Sequence, residues 1–189
     1  YTGSAVIKVI SGNADIVAIG KAQNSIAAGS PDKADVLTAF MGQASGFVKL
    51  SLPFVRWASD ANFNDSGNTG GKQRTFIAIQ NLESNEIDVI VKYNDKDGVT
   101  VAQQTLTIDG FSKANTTAFD AGALGKGGMN ADEFGYYPGS VFGGGVIIEP
   151  APADAGAQII AIARGQHPGA GEDYNGICVD TDSVSCGTP

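Results

Sequence analysis

A chain with one histidine and two cysteines has few routes to covalent chemistry. The histidine, His167, lies in "RGQHPGAG", with no serine, cysteine or acid patterned around it as a triad and no G-x-S-x-G in the chain. It reads as a solvated loop residue. Asp60, Asn62, Asn64 and Asp65 place oxygen ligands in "DANFND" much as a calcium loop opens. Asp65 then stands where such a loop needs glycine, and Gly71 where it needs a bidentate glutamate. The segment reads either as a weak calcium site or as a solvated run of Asx turns, and Asp180 and Asp182 are weaker candidates still. "GKGG" at Gly125 to Gly128 lacks the spacing and the following Ser/Thr of a phosphate loop. Asp132 and Glu133 are sequence neighbours whose carboxylates point apart. No catalytic residue is assigned, no cofactor beyond that calcium reading is expected, and the expectation is a protein that is not an enzyme.

Cys178 and Cys186 enclose "CVDTDSVSC" near the end of the chain. A metal half-site would need a second pair or a nearby histidine, so a local disulfide is the better reading, and it implies an oxidising compartment. Two sequons, at Asn64 and Asn115, are candidate glycosylation acceptors on a secreted surface. Trp57, Phe63, Tyr136 and Tyr137 lie beside polar loops, where aromatics either stack on sugar rings or cap a core.

The elements that must position these residues are strands. The 189 residues carry 26 glycines and only 17% charged residues, with Val, Ile, Thr and Phe in short clusters. A chain of this size buries roughly 70% of its unfolded surface, enough for a core without metals or many disulfides. The net charge of -8, from 20 acidic and 12 basic residues, excludes nucleic acid and anionic membrane surfaces as expected partners. No apolar run approaches the roughly 20 residues that span a bilayer, so no membrane insertion is expected. The chain opens at Tyr1 without a leader pattern, as a processed protein or a piece of a longer one does.

Strands are expected at Ala5 to Ile10, Ile16 to Lys21, the "GFVKLSLPFVRW" stretch, Thr75 to Asn81, Ile87 to Asn94 and Val99 to Ile108, then in "SVFGGGVIIEP" and "AQIIAIARGQ". Pro53 points to an edge or a strand end, and "DKDG" at Asp95 to Gly98 to a hairpin turn. Ile87, Val89, Val91 and Tyr93 fall on one face. The reading is an all-β chain: an antiparallel β-sandwich, Ig-like or jelly-roll-like, with long Gly-rich loops and an N-terminal β-hairpin extension. It divides into a hairpin at 1–25, a linker at 26–45 that admits a short helix over Lys33 to Met41, a sandwich module at 46–177 and a disulfide-closed tail at 178–189.

One feature of the pattern repeats. "DIVAIGKAQ" (Asp15 to Gln23) matches "QIIAIARGQ" (Gln158 to Gln166), and "GSAVIKV" (Gly3 to Val9) matches "GGGVIIE" (Gly143 to Glu149). The repeat is one domain long. The order "LSLPFVRW … TFIAIQN … VIVKYNDKDGVTV … GSVFGGGVIIE … AQIIAIARGQ" resembles the tandem β-sandwich modules of secreted bacterial cell-surface proteins, over Leu50 to Ile177 and again over Gly3 to Gln23. The resemblance implies an array cut out of register, with the closing hairpin present at both ends and no catalytic residues. A hairpin separated from its own sheet seeks another edge. Head-to-tail donation is heterologous and propagates into an open filament.

The expected function is therefore that of an extracellular filament or surface-array subunit, secreted or at the cell surface. Its partners are other copies of itself, head to tail. Ala5, Val6, Ile7, Val9, Ile16, Val17 and Ile19 are the expected polymer-interface residues. The alternatives are packing of residues 1–25 within the same chain, and an adhesin or carbohydrate-binding module that takes surface glycans through loops 59–72 and 120–139.

Overall fold

In strands the sequence alternation becomes burial alternation, most regularly in Ile87–Asn94, where every second side chain is buried. The computed structural model describes residues 5–12, 16–24, 36–60, 63, 73–126, 142–167, 170–179 and 186. Among them the strands are β1 (Ile19–Asn24), β2 (Val36–Met41), β3 (Leu50–Trp57), β4 (Arg74–Asn81), β5 (Ile87–Asn94) and β6 (Thr100–Ile108). They continue with β7 (Lys113–Thr116), β8 (Phe142–Pro150), β9 (Ile159–His167), β10 (Ala170–Asn175) and β11 (Ile177–Cys178). All their pairings are antiparallel.

The main hydrogen-bonded path runs β10-β9-β4-β3-β8-β5-β6, with β7 on β4 and β11 on β3. Its β3–β4 joint is the single pair Trp57 with Arg74. The path turns there, and the two halves form the layers of a β-sandwich around one core. That core takes Leu50, Leu52, Val89, Val91 and Ile148 from one layer and Ile77, Ile79, Ile159 and Ala161 from the other. Each such Val, Leu or Ile contributes roughly 1.5–3 kcal/mol of burial. Tyr93 crosses the interior: its ring meets Phe142 edge-on at 5.6 Å and its hydroxyl lies 3.0 Å from the Thr116 hydroxyl. Burial raises the Tyr93 pKa above the ordinary phenol range.

Local chemistry explains the connections. In the "DKDG" turn between β5 and β6, Gly98 adopts φ +80°, a conformation that favours glycine. The Asp95 carboxylate accepts from the Asp97 and Val99 amides at 2.9 Å each. Asn81, fully buried at the end of β4, donates from Nδ2 to the carbonyls of Asn85, Ile108 and Asp109 and accepts from the Glu83 amide. It ties the β4–β5 turn to the end of β6. Pro53, expected at an edge or strand end, stands inside β3, where the register with β8 shifts between Leu52 and Val55. A bulge accommodates a residue that has no amide to donate.

Three expectations need correcting. Ala5 to Ile10 forms no strand and does not pair with 16–21. The N-terminal hairpin is instead β1 with β2, and Lys33 to Met41, read as a short helix within a linker, carries strand β2 over Val36–Met41. Neighbouring-strand hydrogen bonds override a weak local helical pattern. Cys178, assigned to the tail, is the second residue of β11 and pairs with Leu50. Its disulfide to Cys186 is formed.

Candidate functional site: the N-terminal apolar tract

Residues 5–10 and 16–19 are mostly apolar and mostly exposed. Ile10 is 94% exposed, Val17 75%, Val6 71% and Ile7 65%, with Ile16 and Ile19 also exposed. Ala5 is exposed and Val9 half-buried. Six of the seven residues singled out in the sequence are thus exposed and Val9 is half-buried, in two stretches, 5–10 and 16–19, of which the second runs into β1. Apolar side chains left in water forgo about 25 cal/mol per Å² of burial.

The tract has a counterpart elsewhere in the fold. β1 and β2 pair Ile19 with Met41, Gly20 with Phe40 and Gln23 with Leu37. β9 and β10 pair Ile162 with Asn175, Ala163 with Tyr174 and Gln166 with Gly171. The sequence match of Ile19 to Ile162 thus carries through to the returning strand. Each hairpin opposes a small residue to an aromatic one, Gly20 to Phe40 and Ala163 to Tyr174. The hairpins differ in their connections, residues 25–35 in one and 168–169 in the other.

What the two copies touch differs. β9 is flanked on both sides, by β4 and β10. β8, the counterpart of Gly3 to Val9, is likewise flanked by β3 and β5. Among the described residues, β1 pairs with β2 alone, and residues 5–10 pair with nothing.

The hairpin is fastened to the sandwich in cis through β2. Asn175 Nδ2 donates to the Met41 carbonyl at 2.8 Å, and Gln43 Nε2 to the Gly176 carbonyl at 3.4 Å. Arg164 grips Asp173 with two bonds, of 2.8 and 2.9 Å, and reaches the Thr38 hydroxyl at 3.3 Å. The Asp173 side chain is wholly covered. Burial by itself raises its carboxyl pKa, but bonds from Arg164 and Thr38 and the guanidinium charge outweigh this and hold it below the ordinary carboxylate range. The Asp173 hydrogen bonds raise Arg164 in turn.

Asp60 is engaged by Arg74, while Asn62, Asn64 and Asp65 lie outside the described residues. No group of three His, Cys, Asp or Glu that could hold a metal occurs among the described residues. Asn115 is exposed on β7, where Lys113 Nζ donates to its Oδ1 at 3.0 Å. His167 is half-buried at the end of β9. Glu83 and Asp154 line a shallow cleft, but both carboxylates accept backbone amides, from Gln158 and Asp88.

Trp57 and Phe63 come together through Arg74, whose guanidinium lies 4.9 Å from one ring centre and 4.5 Å from the other. Tyr136 and Tyr137 lie outside the described residues. Two rings that sequence reasoning missed complete the patch: Phe76, edge-on to Trp57 at 5.5 Å, and Phe119, stacked on it at 6.1 Å. Phe76 was signalled by its place between the buried Thr75 and Ile77, which turns it outward. Phe119 had no local signal. No helix among the described residues is long and apolar enough to cross a membrane.

No protein-family model, curated protein or solved structure matches this chain.

Proposed function

We propose that this chain is a secreted structural protein, a subunit of an extracellular filament or surface array. Each subunit donates its N-terminal apolar tract to a neighbour. The observation that carries the reading is the exposure of a tract whose sequence repeats two central strands, β8 and β9. Central-strand sequences are apolar because they are covered, and among the described residues no strand pairs with residues 5–10. Fastening of β2 to β10 in cis confines the donated part to residues 5–18 and the open edge of β1. The resemblance to tandem modules of secreted bacterial surface proteins supports the same reading. So does the Cys178–Cys186 disulfide, which suits an oxidising compartment.

Electron microscopy of the full chain beside a variant lacking residues 1–18 tests this. Filaments or arrays in the first and single particles in the second support donation. Assembly that survives the deletion overturns it.

The aromatic patch of Trp57, Phe76 and Phe119 favours a second reading, a module that stacks on surface glycans. A folded monomer that binds a glycan array, and loses that binding on Phe119→Ala, would support it.

A further inference from the structure

Resting on the donation reading, we infer that the acceptor is the outer edge of β6 in a second copy of this chain. β6 is nine residues long, "TVAQQTLTI", with no charged residue and no proline. Among the described residues it pairs along one edge only, with β5. Natural sheets blunt such edges with short strands, lysine, proline or a covering element, and the edges at β7, β10 and β3 carry such devices. β7 is four residues long and opens on Lys113. β10 bears Glu172 and Asp173 and lies against β2 through Asn175. β3 is interrupted at Pro53 and takes β11. β1 is itself part of the donor tract.

The inner face of β6 is also incompletely covered. Its Ala102, Gln104 and Leu106 are half-buried, although their partners Tyr93, Val91 and Val89 on β5 are fully buried. One more strand alongside would complete that layer.

The donor sequence does not fit the seat of β8 itself. Aligned with β8, Lys8 falls at the position of Ile148, which is fully buried. Lys8 rules out the same central seat. It leaves Ala5, Ile7 and Val9 as one apolar face, with Val6, Lys8 and Ile10 on the other. A strand with one apolar and one mixed face can join an antiparallel sheet with its apolar face toward the core, and the unpaired edge of β6 is open to it. There the apolar face joins Ala102 and Leu106, and Lys8 lies on the outer face with Gln103, Thr105 and Thr107.

Disulfide trapping between two single-cysteine preparations of the full chain tests the assignment. The native cysteines are bonded to each other, so only introduced thiols are free. Lys8→Cys is mixed separately with Gln103→Cys, Thr105→Cys, Thr107→Cys and, as the alternative edge, Glu172→Cys on β10. The assembled mixtures are oxidised and read on non-reducing gels. Gain of a covalent dimer with a β6 variant, absent with Glu172→Cys, is the expected result. Assembly with no β6 crosslink, or with trapping at Glu172→Cys instead, overturns the β6 acceptor and leaves donation standing. Single particles in every sample, including the unmutated chain, overturn both. The β6 substitutions are at exposed positions, and unchanged thermal melting of each variant verifies its fold.

Discussion

The Gly42 amide donates to the Ala18 carbonyl at 2.8 Å, and the Gly176 amide donates to the Ala161 carbonyl at the same distance. Ala18 matches Ala161 in the sequence repeat, and each glycine directly follows the returning strand of its hairpin. The two hairpins therefore share register and closure, while one is a built-in part of the sandwich and the other an extension of it. Gly20 leaves the space that the Phe40 ring occupies. A Cβ there would lie 2.3 Å from the Phe40 ring. Gly20→Val is expected to displace Phe40 at a cost of about 1–3 kcal/mol, confined to the hairpin. Limited proteolysis should show faster cleavage before residue 42 and an unchanged fragment from 46 onward.

The exposed tract should be separable from stability. Ile7→Asp with Val17→Asp alters side chains that are 65% and 75% exposed. The melting transition of the monomer is expected to shift by no more than about 0.5 kcal/mol per substitution. Assembly, followed by light scattering, should be lost. Assembly at the native rate in this variant would count against donation.

The hairpin's fastening is expected to depend on pH. Asp173 is held below the ordinary carboxylate range by Arg164 and Thr38 despite its burial. Its stabilising effect is fully present above the unfolded-state value of about 3.9 and is lost as pH falls through the lower folded value. Near neutral pH the fastening is intact. On acidification below about pH 4 the β2–β10 contact should open before the core does. Hydrogen exchange of the Met41 and Asn175 amides, compared with Val89 and Ile148, measures this, and Asp173→Asn should open the contact at neutral pH.

Asn81 makes the strongest stability prediction. Its side chain joins three carbonyls and one amide at a fully buried position. Asn81→Ala removes those bonds and strands the partners, and is expected to cost roughly 3 kcal/mol in urea unfolding. Asn81→Asp retains the acceptor toward Glu83 but faces three carbonyls with a charge, so it should be no milder.

Much of the sandwich was legible because its signals are local. Alternation in "IDVIVKY" places Ile87, Val89, Val91 and Tyr93 on the buried face. Asp95 to Gly98 carries its own turn chemistry, and two cysteines allow one pairing. The N-terminal tract stood out because its sequence recurs in β8 and β9. Its exposure and its pairing were decided by the fold. Ala5 to Ile10 has the composition of a strand but pairs with no strand among the described residues, and a segment without a pairing strand leaves its backbone bonds to water. "KADVLTAFM" has a helical pattern, yet Val36 to Met41 faces β1 in register and its helical preference yields. Likewise, only folding brings Phe119 over Trp57, encloses Asp173 with Arg164 beneath β2, and leaves β6 with one edge unpaired among the described residues. Periodicity and turn residues act within a few positions along the chain. Pairing and burial depend on which distant segment arrives alongside, and that is settled by the tertiary structure.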